Sequence, residues 1–128
     1  MTWLPGEAHR QVDQSQMDPV LRSRCEVLLL RMRIELVAKR LPADRSLSSR
    51  GRIDLRLWGL VTLGTADELV VLRQLVQRVQ LVYRSSSQYL HSRRSGLVPP
   101  SSEIDAWRDD IAALESAVDR LLTGNHQD

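Results

Sequence analysis

The chain has few cysteines, aromatic residues and histidines, and the shortages of cysteine and histidine each exclude a class of site. Its 128 residues contain no Phe, three Trp, two Tyr, three His and one Cys. The single Cys25 excludes an internal disulfide and a cysteine cluster for zinc, and the apolar helical pattern around it predicts a buried thiol. The histidines lack the paired spacing of a metal site, so we expect no metal and no cofactor.

Long apolar runs and catalytic loops are missing as well. No apolar stretch reaches the length that spans a membrane, and the first residues lack the basic start and apolar run of a secretory signal. We therefore expect a cytoplasmic protein without membrane contacts. The sequence also lacks a glycine-rich phosphate loop and a nucleophile elbow, which excludes the common nucleotide-binding and hydrolase motifs.

Lysine is nearly absent, because seventeen Arg and only one Lys, Lys39, carry the positive charge. Arginine binds phosphate and carboxylate groups through two parallel hydrogen bonds, so this composition is compatible with a nucleic-acid or an acidic protein partner. A GC-rich coding bias explains the same composition. The formal net charge of +2 argues against a protein that coats nucleic acid.

The residues that are present predict an all-α fold. Aliphatic residues recur at steps of three and four, so we expect an up-down helical bundle of three long helices plus one short helix. We expect a single bundle domain at residues 18–124. It follows an N-terminal arm of residues 1–17 that is partly disordered, and it precedes a frayed tail of residues 125–128.

The first helix is predicted to begin at Asp18 and Pro19, a favourable cap and first position, and to end near Leu41. A loop at residues 42–51 leads to the short helix. The predicted buried face of the first helix has eight members: Val20, Leu21, Cys25, Leu28, Leu29, Met32, Leu36 and Val37. Three further apolar residues widen this face: Val27, Leu30 and Ile34. The excess suggests burial on two sides, either in the centre of the bundle or against a second subunit.

The third helix is the longest, from Thr65 to Arg94, and Thr65 with Glu68 forms a capping box at its start. Its predicted buried stripe consists of Leu69, Leu72, Val76, Val79, Tyr83, Ser86 and Leu90. The last helix is predicted to begin at Ser101 or Ser102 and to end at Gly124. Its predicted stripe consists of Ile104, Trp107, Ile111, Leu114, Ala117, Val118 and Leu121.

Polar residues of the third helix form one band beside its apolar stripe. The band contains Arg73, Gln77, Gln80, Arg84, Ser87, Gln88 and His91. Arg84 and His91 are seven positions apart, which is close to two helical turns, so their side chains project from the same side about 10 Å apart along the axis. The band is the part of the chain in which we expect a function.

The order of these elements resembles the HEPN domain. An opening helix and a short helix ending in glycine precede a long helix that closes on Arg-x(4–6)-His, here Arg84 to His91. The segment from Tyr89 to Leu114 is similar to the way such domains leave the histidine and enter a final acidic helix. The resemblance covers residues 18–122. It implies metal-independent RNA cleavage by a dimer, in a defence or toxin–antitoxin setting, with the two motifs meeting across the subunit interface.

The resemblance implies catalytic roles for Arg84 and His91. An imidazole can move protons near neutral pH, and a guanidinium can stabilise the charge that develops on a phosphodiester. Ser85 stands where the family usually has Asn, Asp or His, and a serine still hydrogen-bonds a phosphate oxygen. We expect four residues to contact the RNA: Ser85, Gln88, Arg93 and Arg94.

Two other interpretations stay open. The polar band fits the solvated face of an amphipathic helix, and in this composition about one Arg-x(4–6)-His spacing is expected by chance. The surplus apolar surface of residues 27–37 also fits a non-catalytic dimerisation or adaptor module. Such a module binds a second copy of the chain or a larger protein partner, and it needs no RNA.

Overall fold

The computed structural model describes residues 18–41, 52–91 and 98–125, and every regular element in these ranges is a helix. The predictions for the arm at residues 1–17, the loop at residues 42–51 and the last three residues of the tail lie outside them. Within these ranges, four α-helices and one 3₁₀ segment follow in chain order: α1 Pro19–Ala38, α2 Ile53–Gly59, the 3₁₀ segment Leu60–Leu63, α3 Leu69–His91 and α4 Ser101–Asn125. The described part of the chain is therefore all-α, as the periodicity predicts.

Helix α1 begins as its sequence predicts and ends earlier. The Asp18 carboxylate accepts a hydrogen bond from the Val20 backbone N–H at 2.7 Å, and Pro19 occupies the first helical position. The helix ends at Ala38 rather than near Leu41. The N–H of Arg40 turns back to the Val37 carbonyl, which tightens the last turn before Pro42.

The starts of the other long helices differ in detail from the prediction. The Glu68 carboxylate folds back towards Thr65, but the Thr65 hydroxyl donates to it instead of capping a backbone N–H, and α3 begins at Leu69. Helix α4 has Ser101 as its first residue, and the Pro100 carbonyl accepts the first backbone bonds. Helix α4 also continues through Asn125, so Gly124 lies inside it and is not its cap.

One hydrophobic core joins all four helices and the 3₁₀ segment. The predicted stripe of α4 is confirmed in full, since all seven of its members are buried. The prediction for α3 holds for Leu72, Val76, Val79 and Ser86. Leu69 is exposed, and Val82, which the pattern did not select, is buried. Stripes on α3 and α4 therefore face each other and enclose the core.

The predicted buried face of α1 is wrong at most positions, although Val37 is buried as predicted and so are the three residues that widen the face, Val27, Leu30 and Ile34. The core contains Val27, Leu30, Ile34, Val37 and Ala38, whereas the other side of the helix is exposed. Five residues that were expected inside are at the surface: Leu21, Leu28, Leu29, Met32 and Leu36. Cys25, expected to be buried, is only partly covered. Helix α1 is apolar around most of its circumference, so periodicity alone does not select which side packs inward.

Polar contacts at the edges of α1 fix its rotation. On one edge, Arg31 reaches α3, where its guanidinium donates to the Tyr83 carbonyl and to the Ser86 hydroxyl. On the opposite edge, Arg33 pairs with Glu115 of α4, and this hydrogen bond raises the pKa of Arg33. With both edges attached to neighbouring helices, Ile34 points into the core.

Candidate functional site

Arg84 and His91 lie in the last turns of the described part of α3, and His91 is its last described residue. Both side chains are exposed. Seven residues of continuous helix give a rise of about 10 Å and a rotation close to two full turns. The guanidinium and the imidazole therefore project from the same side of α3 into solvent.

The other predicted RNA contacts are distributed unevenly around this pair. Gln88 is exposed and lies one turn after Arg84, between the two side chains. Ser85 is half-buried and is rotated by about 100° from Arg84 around the helix axis. Arg93 and Arg94 lie outside the described residues, so their contribution stays a prediction. Arg84, Gln88 and His91 are the three that the helix brings onto one side.

The polar band divides into a packed half, which includes Arg73 and Gln80, and an open half, which includes Arg84, Gln88 and His91. In the packed half, Gln80 donates a hydrogen bond to the Asp54 carbonyl of α2 at 2.9 Å, and the Arg73 guanidinium lies 5.8 Å from the Trp58 ring centroid. In the open half, no described residue forms a hydrogen bond or an ion pair with Arg84, and the same holds for His91. The polar groups of Arg84 and His91 are therefore available to a ligand.

A cluster of polar residues holds α3 beneath the open half. The Arg31 guanidinium stacks on the Tyr83 ring at 3.9 Å, and it donates to the Tyr83 carbonyl at 2.6 Å and to the Ser86 hydroxyl at 2.8 Å. The Tyr83 hydroxyl donates to the Glu35 carboxylate at 3.1 Å. Burial, opposed by the positive charge of Arg31, raises the pKa of Tyr83, and its hydrogen bond to Glu35 adds to this effect.

This cluster was not predicted, although the sequence contains a sign of it. Ser86 occupies a core position of the α3 stripe and is completely buried, and a buried hydroxyl requires a hydrogen-bond partner. Arg31 and Glu35 lie one turn apart on α1, and such a spacing places both on the same side of a helix. No pattern in the sequence indicates that these two residues face Ser86, because the contact joins residues more than fifty positions apart.

A ring contact anchors the last turn of α3. The rings of Tyr89 and Trp107 meet edge to face, with their centroids 6.0 Å apart. Tyr89 therefore packs against α4. Together with the polar cluster, this contact holds the helix on both sides of Arg84 and two residues before His91.

The open half provides donors for an anion. The guanidinium can bind a phosphate through two parallel hydrogen bonds, and the imidazole can donate or accept a proton. Among the described residues, no three His, Cys, Asp or Glu side chains lie close enough together to hold a metal ion. The pair on α3 suits contact with a phosphodiester and proton transfer at it.

Helix α1 carries a second exposed surface, of opposite character. We call it the α1 outer face, and its members are Leu21, Leu28, Leu29, Met32 and Leu36, with exposed fractions of 52%, 49%, 60%, 55% and 65%. They lie within an arc of about 100° on the helix, opposite Val27 and Ile34. Isolated exposed apolar residues are normal, but a contiguous row of them indicates an interaction surface.

Comparison with known proteins gives no relative for this chain: no family model, curated protein or solved structure matches it. Within the described ranges, no helix combines the length and the apolar character that a membrane crossing requires.

Proposed function

We propose that the chain is a HEPN-like helical protein that binds RNA through the open half of the α3 polar band. One observation carries the proposal: the guanidinium of Arg84 and the imidazole of His91 project from the same side of a rigid helix, and no other described residue pairs with either of them. The amide of Gln88 lies between them. These are groups that bind phosphate and sugar oxygens.

The same pair supports metal-independent cleavage of the bound RNA. The imidazole of His91 would take the proton of a 2′-hydroxyl as it attacks the adjacent phosphorus, and the guanidinium of Arg84 would stabilise the extra negative charge on the phosphate oxygens. The departing 5′-oxygen needs a proton donor. One chain offers a single imidazole in this band, so water would supply the proton that the departing 5′-oxygen takes up.

The proposal is tested with purified protein, fluorescent single-stranded RNA and a metal chelator. We expect Arg84→Ala to weaken RNA binding about tenfold, because a charge-assisted hydrogen bond to phosphate is lost. His91→Ala should abolish cleavage and change the Kd for RNA less than about threefold. The matched control is Arg78→Ala, which removes an exposed arginine from the same helix about 120° away from Arg84.

Two results would contradict the proposal. Equal loss of binding in Arg84→Ala and Arg78→Ala would indicate non-specific attraction to the arginines of α3. Absence of RNA binding by the wild-type chain at low salt would remove the function itself, because electrostatic contacts with phosphate are strongest there.

A second function, a protein-interaction module, is favoured by a separate observation, which is the α1 outer face. This face is apolar and exposed, and it does not include the α3 polar band. The test is binding of an apolar fluorescent dye to the wild-type chain and to Leu29→Asp. We expect Leu29→Asp to reduce dye binding more than Leu81→Asp, which changes a comparably exposed leucine of α3. Equal reduction would exclude a dedicated face on α1.

A further inference from the structure

Along most of α1, apolar residues occupy exposed positions and charged residues occupy partly buried positions, which is the reverse of an ordinary surface helix. From Ser23 to Ala38, the exposed positions are Leu28, Leu29, Met32 and Leu36, all of them apolar. The charged residues of the same segment lie at the edges of the helix and are only partly exposed. In an ordinary surface helix the outermost side chains are polar. The outer side of α1 instead has the amino-acid composition of a helix face that packs against a second helix.

The charged residues at the edges are held by neighbouring helices. Arg31 binds α3 at Tyr83 and Ser86, and Arg33 binds Glu115 of α4. Glu26 forms an ion pair with Arg108 of α4 at 3.6 Å. These residues therefore border the apolar row without extending over it, and they leave the row open to a partner.

We propose that the α1 outer face binds the same face of a second copy of this chain, with the two α1 helices antiparallel. The proposal rests on the interaction-module function and names its partner. It is independent of RNA binding, because the two surfaces share no residue.

The area of the face is sufficient for a weak specific dimer. The exposed fractions correspond to roughly 500 Å² of apolar surface in each copy, so pairing two copies removes about 1,000 Å² from water, which is near the lower limit for a specific interface. Flanking side chains add to this area. We therefore expect a dimer that dissociates in the micromolar range rather than an obligate one.

The order of the residues along α1 fits an antiparallel pair. In an antiparallel pair related by a two-fold axis, a residue of one helix lies opposite a residue of the other helix when their two numbers add up to a fixed sum. A two-fold axis between Leu28 and Leu29 pairs these two residues across the interface, and it also pairs Leu21 with Leu36. The same axis places the partly covered Cys25 opposite Met32. Every member of the face then meets an apolar residue of the partner, which is what an isologous interface requires.

Pairing through α1 keeps the two α3 bands apart. Helix α1 contacts the sides of α3 that carry Tyr83 and Ser86, which are rotated by about 100° and 160° from Arg84. The α1 outer face points away from this contact. The dimer therefore presents two separate Arg84 and His91 pairs, whereas the resemblance to HEPN domains implies that the two motifs meet.

The first experiment measures the mass of the full-length chain by sedimentation velocity between about 1 and 200 µM, a range that brackets the Kd expected for an interface of this size. We expect the wild type to convert from monomer to dimer with increasing concentration. Leu29→Asp should raise the dimer Kd at least 100-fold, because the two-fold axis places two buried carboxylates close together. The matched control, Leu81→Asp, alters an α3 leucine that is 64% exposed and should leave the Kd within about twofold. Circular dichroism confirms that both variants are folded.

The second experiment tests the register with a disulfide-forming oxidant. Met32→Cys should cross-link into a covalent dimer, because position 32 of one copy lies opposite the native Cys25 of the other. The double variant Cys25→Ser, Met32→Cys should not cross-link. In the proposed register, identical positions are separated by seven residues, or about 10 Å along the axis, which exceeds the reach of a disulfide.

Each other outcome overturns a defined part of the inference. A wild-type chain that is monomeric at all concentrations excludes the second copy as partner. If the apolar dye still distinguishes Leu29→Asp from Leu81→Asp in that case, the interaction face stands and its partner is a different protein. A dimer that resists Leu29→Asp but is lost in Leu81→Asp places the interface on α3. Cross-linking of the double variant contradicts the antiparallel register.

Discussion

The outer sides of α1 and α3 belong to the same bundle and share one core, yet the residues that they expose differ in character. The outer side of α3 ends in arginine, glutamine and histidine, whereas the outer side of α1 carries four leucines and a methionine. Both helices bury aliphatic residues on their inner sides. The inner sides therefore explain the fold, and only the outer sides indicate what each helix binds.

The difference follows from the placement of the charged residues. On α1, arginines and glutamates at the edges bind neighbouring helices, so their charges contribute to the packing of the bundle. On α3, Arg84 has no described partner. A charge that is already paired adds little to recognition of a ligand, while an unpaired exposed guanidinium is available to a phosphate. The two helices thus indicate two different ligands.

The largest expected effect is a difference in the free energy of unfolding between substitutions on the two sides of α1. Ile34 is completely buried and Leu36 is 65% exposed, although they are two residues apart. We expect Ile34→Ala to lower the free energy of unfolding by about 2–5 kcal/mol and Leu36→Ala to lower it by less than about 0.5 kcal/mol. Urea unfolding of both variants in the Leu29→Asp background, where copies do not pair, gives the values. Similar losses at the two positions would show that the assigned rotation of α1 is wrong.

A smaller difference in the free energy of unfolding is expected between the removal of a paired arginine and the removal of an unpaired one. Arg31→Ala removes the guanidinium that donates to the buried Ser86 hydroxyl and to the Tyr83 carbonyl and leaves the weaker hydrogen bond from that hydroxyl to that carbonyl, so we expect the free energy of unfolding to fall by about 1–3 kcal/mol. Arg84→Ala removes no contact within the described part of the chain and should change it by less than about 0.5 kcal/mol. Thermal and urea unfolding provide the comparison. Equal stability of the two variants would exclude the polar cluster as the support of α3.

The smallest effect concerns pH. The folded chain raises the pKa of Tyr83 above its ordinary value of about 10, so folding favours the neutral phenol. The stability that this provides is complete below pH 10 and is lost as the pH rises through the folded pKa. We expect Tyr83→Phe to reduce the loss of stability as the pH rises above about 10. Absorbance titration identifies the residue, because the spectrum of Tyr83→Phe retains only Tyr89. An unchanged alkaline unfolding curve in Tyr83→Phe would contradict this assignment.

The sequence predicts α4 better than α1, and the reason is physical. The other sides of α4 carry polar residues and alanines and no large apolar row, so its periodicity selects one face, and all seven predicted residues are buried. Helix α1 offers apolar residues in nearly every direction, and contacts with distant residues decide its rotation. The excess of apolar residues on α1 was visible in the sequence, but the side that stays exposed was not.

The candidate site shows the same limit. The spacing of Arg84 and His91 predicts their common direction from helix geometry alone. The partners of Arg31 and the separation of the polar band into packed and open halves depend on contacts between α2, α3 and α1. Such contacts join residues that are far apart in the chain, and local patterns do not encode them. The sequence therefore indicates the candidate residues but does not show which of them remain available.

We expect RNA to bind the outer side of α3 and not that of α1, and reversal of one charge on α3 and of one charge next to α1 tests this directly. Fluorescence anisotropy of labelled single-stranded RNA over a range of salt concentrations compares Arg84→Glu with Lys39→Glu, which reverses an exposed charge just after α1. We expect Arg84→Glu to raise the Kd at least tenfold and to reduce the slope of log K against log salt by about one, with Lys39→Glu changing the Kd less than about twofold. Equal effects of the two substitutions, or no effect of Arg84→Glu, would contradict the account.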